Sequence, residues 1–312
     1  MKKLKVIIDT DPGVDDAQAL IYAFFEKKLD IKLITTARGN VAIDIATRNI
    51  CHLLDLFDKD IPVAKGAEKA MERESADASF LHSVDGLGGY KPPKTTKHKP
   101  IKENAIDAMY HVIKENAGEI DVLLLGPQTN LGILLRQHPD VKYMIRRVIA
   151  EGPSPFGALE MPDHVSFNAR TDPEAFKLVL DSGIPLVIIP STIGRNHSHF
   201  EEEQVYDLVN HGDVGKFLYK MFVPVYWEPN FPDKRISSND TNVIIFCTNP
   251  RIYEVLPTNI ELDLIDRPGK MVADFDKHGK TKIVISASRK KFQKLFYKRL
   301  KELEKIKLKT NL

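Results

Sequence analysis

Cysteine is scarce in this chain, and long apolar runs are missing. The two cysteines, Cys51 and Cys247, lie in apolar contexts and form no spacing motif, which favours a reducing compartment over a disulfide framework. The apolar run near the start ends at Ile8, far short of a secretory signal. No stretch approaches the ~20 apolar residues of a membrane helix. These absences predict a soluble, cytoplasmic protein without a membrane partner.

An excess of charge of one sign is also absent, because 45 Lys and Arg stand against 43 Asp and Glu. Proteins that bind nucleic acids usually carry a strong basic excess, so no nucleic-acid partner is expected. The 312 residues contain no internal repeat and no low-complexity linker, and they suffice for one large α/β domain or two smaller ones. A small molecule is the expected partner.

Short β-branched runs are present, and they alternate with helical stretches. Five of them read LKVIID, IKLITT, IDVLLLG, RRVIAEG and IPLVIIP. This alternation predicts an α/β fold with a mainly parallel central sheet flanked by helices. Ligands of such sheets bind at the carboxyl ends of the strands. Polar residues follow all five runs and predict a common site there: Asp9, Asp11, Asp15, Asp16, Arg38, Asn40, Thr129, Asn130, Glu151, Ser191 and Thr192.

The first of these strand ends carries an unusual density of acidic residues. The motif DTDPGVDD places Asp9, Asp11, Asp15 and Asp16 within eight residues. Carboxylates this close disfavour one another's ionisation unless a cation, a shared proton or hydrogen bonds compensate. An acidic helix start explains Asp15 and Asp16 through the helix dipole, but it leaves the other two unexplained.

One enzyme class with Asp-x-Asp after its first strand is the haloacid-dehalogenase-like phosphatase. Asp9 would then be the nucleophile and Asp11 the acid or base, with Mg²⁺ as the charge clamp. That fold also needs a lysine and an acidic pair late in the sheet, for which residues 272–280 offer loose candidates. The phosphatase stays an alternative that gives Asp15 and Asp16 no role.

A second class matches the sequence at more points. DTDPGVDD resembles the N-terminal signature of the inosine-uridine preferring nucleoside hydrolases, Asp-x-Asp-Pro-Gly-x-Asp-Asp. Further similar segments follow in the family's order: GNV at 39–41, HSVDGLGG at 82–89, LLLGPQTNLG at 123–132, FNARTDPEA at 167–175 and ND at 239–240. The resemblance implies the nucleoside hydrolase fold, as a single domain over residues 1–312.

The resemblance implies a metal site and a base. Asp11, Asp16 and Asp240 would ligate Ca²⁺ together with the main-chain carbonyl of Thr129, an all-oxygen shell that suits a hard cation. Asp11 would also accept the proton of the attacking water. Both roles suit N-glycosidic hydrolysis, in which the sugar becomes positively charged as the base departs.

The resemblance also implies how the sugar is held. Asp15 would grip the ribose hydroxyls with Asn40 and Asn168, and Asp9 would orient the acidic cluster by hydrogen bonding. The expected substrate is a ribonucleoside and the expected role is nucleoside salvage. Family membership further implies a homo-oligomer, a homodimer or a homotetramer.

The chain departs from the family pattern on the leaving-group side. Asn239 stands where members usually carry a histidine before the metal-binding aspartate, and an asparagine can donate a hydrogen bond but cannot deliver a proton. His82, in the segment that resembles the base-side loop, is the nearest other donor, although a loop histidine that caps the following turn explains it equally well. The base preference, purine or pyrimidine, stays open.

The second departure lies on the 5′ side of the sugar. In the segment GALEMPDHVSFN, Glu160 stands near the family's asparagine and Ser166 at the position of its glutamate. Two sugar contacts are therefore altered while the metal machinery is kept. This pattern predicts Ca²⁺-dependent hydrolysis with shifted specificity; a ribosyl-binding or weakly active homologue is the alternative.

Overall fold

The computed structural model describes residues 2–74, 78–155, 165–226 and 235–309. The described residues form one sheet of nine strands in the order β3-β2-β1-β4-β5-β6-β9-β7-β8. Its strands are β1 Leu4–Thr10, β2 Leu29–Thr36, β3 Val63–Lys65, β4 Ile120–Leu124, β5 Ile145–Gly152, β6 Leu186–Pro190, β7 Tyr253–Leu262, β8 Met271–Asp274 and β9 Thr281–Ala287.

Helices flank both faces of the sheet and connect most of its strands. Those of the described residues are α1 Val14–Phe24, α2 Ile43–Phe57, α3 Ser79–His82, α4 Ala105–Glu115, α5 Thr129–Gln137, α6 Phe167–Thr171, α7 Pro173–Asp181, α8 Ser191–His197, α9 Glu202–Asp207, α10 Gly212–Tyr226, α11 Asn239–Thr248 and α12 Arg289–Leu303. Short 3₁₀ turns occupy Pro139–Tyr143, Leu208–Asn210 and Pro250–Ile252.

The central strands are parallel and buried on both faces, as their continuous apolar runs predict. Strand β1 pairs in parallel with both β2 and β4, and β5 and β6 continue the parallel array. Val6 and Ile8 of β1 belong to the apolar layer on one face, and Ile7 belongs to the layer on the other. The predicted fold class is confirmed, and the carboxyl ends of β1, β2, β4, β5 and β6 meet at one edge.

The residues at 272–280 that a phosphatase would need lie far from the acidic motif. Strand β7 runs antiparallel to β8 and β9, which makes β8 the last strand of the sheet. Five strands lie between β1 and β8, which corresponds to roughly 29 Å at about 4.8 Å per strand step. The acidic residues at 272–280 therefore cannot act together with Asp9 and Asp11.

The last helix, α12, packs against the protein through its apolar stripe. Phe292, Phe296, Leu300 and Leu303 are buried, at the helical spacing that the sequence shows. The ring centroids of Phe296 and Phe200 lie 4.7 Å apart. Among the described residues, every helix is too short or too polar to cross a lipid bilayer.

Candidate active site

The turn between β1 and α1 is built around the side chain of Asp16. Its Oδ2 accepts a hydrogen bond from the Gly13 backbone N–H at 2.9 Å, and its Oδ1 accepts one from Thr10 Oγ1 at 2.5 Å and from the Asp11 N–H at 3.3 Å. An acidic side chain in the first helical turn satisfies backbone donors that the helix leaves free. Asp16 therefore stabilises the turn in addition to any role in the site.

Asp9 lies beneath this turn, with no exposed surface. Its Oδ1 accepts hydrogen bonds from Thr35 Oγ1 at 2.5 Å and from Asn130 Nδ2 at 2.7 Å. Burial raises the pKa of Asp9 to about 7 although both hydrogen bonds lower it. Thr35 and Asn130 come from β2 and α5, so Asp9 connects three of the elements that meet at this edge.

Asp11 is held between two glycines. Its Oδ2 accepts a hydrogen bond from the Asn40 N–H at 2.8 Å. A methyl group on Gly39 would lie 2.0 Å from Asp11 Oδ2, and one on Gly126 would lie 2.4 Å from Oδ1. Any side chain at either position would overlap with the carboxylate, so the two glycines allow Asp11 to fill this space.

Three further carboxylates converge above Asp11. One oxygen from each of Asp15, Asp16 and Asp240 lies within 4.8 Å of the others, and Asp240 reaches the group from the first turn of α11. The sequence predicts Asp11, Asp16 and Asp240 as the metal ligands and assigns Asp15 to the sugar. The structure brings Asp15 into the converging group, while Asp11 accepts a hydrogen bond from Asn40.

Among the described residues, no lysine or arginine side chain compensates the acidic group. Burial raises the pKa values of Asp11, Asp15, Asp16 and Asp240, and mutual repulsion raises those of Asp11, Asp16 and Asp240 further. Within the described ranges, no lysine or arginine forms an ion pair with these four side chains. The donor set consists of oxygen atoms only, which fits a hard divalent cation such as Ca²⁺ or Mg²⁺.

A cavity of about 390 Å³ opens above the carboxyl ends of the strands. Its size suits a ligand of nucleoside dimensions, since small-molecule pockets start at about 300 Å³. It is lined by Asp15, Asp16, Asn40, Ala78, Phe80, Leu81, His82, Leu125, Glu151, Val165, Ser166, Phe167, Asn168, Arg170, Ser191, Thr192, Arg195, Ser237, Asn239 and Asp240. Most of the predicted site residues therefore face a single cavity.

The predicted sugar-side residues reach this cavity from different elements. Asn40 donates its side-chain N–H to Asp16 Oδ2 at 3.0 Å. Ser166 caps α6, where its Oγ accepts a hydrogen bond from the Ala169 N–H at 3.4 Å, and Asn168 lies in the first turn of the same helix. Glu160 lies outside the described residues.

His82 contacts the start of α1. Its Nδ1 accepts a hydrogen bond from the Val14 N–H at 3.2 Å, so the neutral ring carries its proton on Nε2. Burial lowers the pKa of His82 to about 4, which makes the neutral form the one present at pH 7. The sequence predicts either a capping role or a role at the base, and the structure shows a residue that caps α1 and lines the cavity.

Asn239 and Thr129 occupy the starts of two helices that point at the site. Asn239 donates from Nδ2 to Asp15 Oδ2 at 3.4 Å, and its Oδ1 is buried without a partner among the described residues. A methyl group on Gly194 would lie 1.9 Å from that oxygen. Thr129, at the start of α5, is buried, and its hydroxyl donates to an oxygen of Asp172 at 2.8 Å.

Glu151 is a site residue to which the sequence assigns no role. It is the penultimate residue of β5, lines the cavity and accepts a hydrogen bond from Asn168 Nδ2 at 2.7 Å. Burial and the charges of Asp15 and Asp16 raise its pKa well above the usual range. The available signal was its position directly at a predicted strand end, on the same edge as the acidic motif.

Comparison with known proteins agrees with this geometry. The family model described as inosine-uridine preferring nucleoside hydrolase matches residues 6–294. A non-specific ribonucleoside hydrolase RihC from Klebsiella pneumoniae is 30% identical over 261 residues, which cover 84% of each chain. The protein of the same name from Escherichia coli O127:H6 is 29% identical over 297 residues, covering 93% of this chain and 96% of the relative.

Solved structures show the same fold. A purine-preferring ribonucleoside hydrolase from Gardnerella vaginalis superposes with a TM-score of 0.89 at 23% identity. The superposition covers 97% of this chain and 100% of the other. At this level of identity the likeness concerns the fold, and it extends over both chains nearly from end to end.

Proposed function

The chain belongs to the inosine-uridine preferring nucleoside hydrolase family, and we propose that it hydrolyses the N-glycosidic bond of ribonucleosides to give ribose and a free base. The family match carries this proposal. It is supported by an oxygen-rich acidic group that faces a nucleoside-sized cavity at the carboxyl edge of the sheet. The corresponding cellular role is nucleoside salvage. We also propose that residues 1–312 form a single domain.

The sugar would be held by groups on two sides of the cavity. Asp15 and Asn40 lie on the side of β1 and β2, and Asn168 and Ser166 lie at the start of α6. Carboxylate and amide oxygens accept hydrogen bonds from sugar hydroxyls, and the Ser166 hydroxyl can donate one. Glu160 is proposed as a further contact on the 5′ side. Several fixed contacts to one ring orient the anomeric carbon for attack.

A cation is proposed to complete the site, and Ca²⁺ is the ion that we propose. The ligands would be Asp11, Asp16, Asp240 and the main-chain carbonyl of Thr129. When bound, such an ion supplies charge that lowers the pKa of a water molecule and a template for the sugar diol. It would also offset the burial and the mutual repulsion that raise the pKa values of Asp11 and Asp240.

Bond cleavage is then a displacement at the anomeric carbon. A water oxygen bonds to that carbon while the N-glycosidic bond breaks, and the electron pair of that bond leaves with the base. Asp11 would accept the proton of the water. The remaining carboxylates stabilise the positive charge that develops on the sugar, since they lie buried beneath it in a region of low dielectric constant.

The departing base needs a hydrogen-bond donor. His82 is the proposed donor, because its Nδ1 is occupied by the Val14 N–H and its Nε2–H is left for the cavity. Its low pKa means that it acts as a neutral donor instead of delivering a proton from an imidazolium ion. The base then leaves as an anion that this hydrogen bond stabilises, and it takes its proton from solvent. Asn239 is proposed to donate a second hydrogen bond on the same side.

The test is incubation of the purified protein with a panel of purine and pyrimidine ribonucleosides, with ribose measured by a reducing-sugar assay. We expect ribose to be released, and release to stop when a chelator removes divalent cations and to resume when Ca²⁺ is added. Thermal unfolding followed in parallel should show a higher Tm with Ca²⁺ than with chelator. Tight nucleoside binding without release would instead support the weakly active homologue.

An Asp240→Asn variant is the matched control for the cation. It removes one negative charge from the converging group and keeps the shape of the side chain. We expect the Ca²⁺-dependent rise in Tm to shrink or vanish in this variant. An unchanged rise would show that the ion binds elsewhere on the protein.

A further inference from the structure

Among the described residues that line the cavity, Glu151 is the one carboxyl group that has no named role in the proposed mechanism. It is 6% exposed and lies at the end of β5. Its main-chain carbonyl accepts a hydrogen bond from Gln128 Nε2 at 3.3 Å. Its carboxylate is directed to Asn168, with Oε2 2.7 Å from Nδ2. The contact joins the end of a rigid strand to a residue that is proposed to hold the sugar.

Asn168 makes a second contact with the same nitrogen. Its Nδ2 lies 2.6 Å from the main-chain carbonyl oxygen of Leu125. A carbonyl oxygen only accepts hydrogen bonds, so the side-chain atom between Leu125 and Glu151 must be the amide nitrogen and cannot be the oxygen. Both hydrogens of Asn168 are therefore donated to the protein. This leaves its Oδ1 as the polar atom that is available to the cavity.

We propose that Glu151 is a positioning residue that fixes the Asn168 amide with Oδ1 toward the substrate, and thereby makes this subsite an acceptor for a sugar hydroxyl. The inference rests on the proposed function, since it assigns the substrate group that Asn168 meets. Glu151 acts through Asn168, whose amide it holds together with the Leu125 carbonyl oxygen; without Glu151 only one of the two hydrogens of Nδ2 is held. In its ionised form Glu151 holds that orientation more firmly than a neutral acceptor because charge-assisted hydrogen bonds are stronger.

The consequence is selection for sugars that carry a hydroxyl donor at this subsite. A site with a fixed acceptor loses a hydrogen bond when the hydroxyl is replaced by hydrogen, and the buried acceptor is then left unpaired. Of the 2′-deoxy and 3′-deoxy nucleosides, the one that lacks the hydroxyl bound at this subsite should therefore bind at least about tenfold more weakly than the ribonucleoside. The ligand class that this subsite selects is the riboside with a free hydroxyl.

The test uses equilibrium binding and kinetics on four versions of the Ca²⁺-loaded protein. These are the wild type, Glu151→Gln, Asn168→Asp and the double variant. Each is titrated with a ribonucleoside and with its 2′-deoxy and 3′-deoxy counterparts. In Glu151→Gln we expect the discrimination against the deoxy compound to fall by about tenfold, seen in KM and Kd more than in kcat.

The double variant separates orientation from simple damage to the site. Asn168→Asp alone places two carboxylates side by side, and it should bind the ribonucleoside most weakly of the four. Adding Glu151→Gln supplies an N–H that can donate to the new carboxylate, so the double variant should recover at least about tenfold in affinity. A merely structural role for Glu151 predicts additive losses instead.

Glu26→Gln is the matched control. Glu26 is also a buried carboxylate, but it pairs with Arg299 at 2.9 Å and does not line the cavity. This variant should keep the discrimination of the wild type. Unchanged discrimination in Glu151→Gln, or additive losses in the double variant, would overturn the inference.

The outcomes also separate this inference from the proposed function. A wild type that binds with the expected discrimination but releases no ribose would contradict the hydrolase and leave the role of Glu151 intact. A wild type that cleaves all three nucleosides equally well, releasing ribose or the corresponding deoxyribose, would overturn the role of Glu151 alone. A protein that neither binds nor cleaves them would overturn both.

Discussion

Buried carboxylates occur at both ends of the parallel strands, and they are compensated in different ways. Near the amino ends, Asp121 of β4 has no exposed surface and is paired with Arg146, whose Nε lies 2.6 Å from Oδ1, and with Arg147, whose Nε lies 3.0 Å from Oδ2. At the carboxyl ends, Asp11 and Asp240 are equally buried, and within the described part of the chain no arginine or lysine pairs with them. We call these the paired end and the acidic end.

We interpret the difference as a division between carboxylates that serve the fold and carboxylates that are left for a ligand. A buried charge costs several kcal/mol unless an opposite charge or hydrogen bonds compensate it. At the paired end the protein supplies that compensation from its own side chains. At the acidic end burial and the neighbouring carboxylates raise the pKa values of Asp11 and Asp240. In the proposed function a cation and the charge that develops on the sugar supply the compensation.

The largest expected effect is at the acidic end. Asp11→Asn should lower kcat by at least about a hundredfold, because the proposed base and one metal ligand are lost together. The free energy of unfolding should not fall, since the variant removes an uncompensated buried charge. Ribose release and denaturant unfolding measure the two quantities. Near-normal turnover would contradict the role assigned to Asp11.

The next effect tests how tightly Asp11 is held. Gly126→Ala places a methyl group 2.4 Å from Asp11 Oδ1, so the carboxylate must move. We expect kcat/KM to fall by roughly tenfold or more, because a small displacement of a reacting group slows the reaction strongly. Gly118→Ala is the control: nothing lies within 4 Å of its added methyl group, so it should lower stability through its left-handed backbone but keep kcat/KM.

A smaller effect, of a different kind, is expected at the paired end. Asp121→Asn leaves Arg146 and Arg147 without their carboxylate, and we expect the free energy of unfolding to fall by about 1–3 kcal/mol. The side chains of Arg146 and Arg147 are 37% and 26% exposed, which keeps the loss below that of a fully buried pair. The kcat of the folded enzyme should stay within about twofold of the wild type, which is within ordinary mutational scatter. A large loss of kcat at unchanged stability would remove the distinction between the two ends.

The smallest effect concerns a buried histidine that lies away from both ends. His52 stacks on Tyr90 and bonds to its hydroxyl at 2.9 Å, and burial lowers its pKa to about 4. The unfolded chain binds this proton near pH 6.5 and the folded chain only near pH 4, so stability is lost as the pH falls between these values. Denaturant unfolding at pH 7 and pH 5 should show a smaller loss of unfolding free energy in His52→Gln than in the wild type, by roughly 1–2 kcal/mol. An equal loss in both proteins would contradict the assignment.

Much of the fold could be predicted because it depends on local patterns. The runs at β1, β2, β4, β5 and β6 are continuous and β-branched, and such runs indicate buried parallel strands wherever they occur. The antiparallel strands β7–β9 carry half-exposed faces, and their weaker patterns gave no comparable signal. The apolar residues of α12 recur at the helical period, which is itself a local signal of a helix docked on the protein.

Within the site, the sequence could predict residue types but not their contacts. Asp9 is held by Asn130, which is 121 positions away, and His82 caps a helix that begins 68 positions earlier. Neither pairing leaves a local pattern. The same holds for Glu151, since a glutamate at a strand end says nothing about which amide it will meet.

By itself, the sequence determined the parallel sheet and the edge at which the acidic residues gather, because apolar period and strand-end position are local properties of the chain. The tertiary structure alone decided which buried carboxylates receive an arginine and which do not, and which nitrogen of the site is turned toward a carboxylate. Those outcomes depend on burial and on distances between residues from different elements. Both quantities exist only once the chain has folded, and they set the charge that the cavity presents to its ligand.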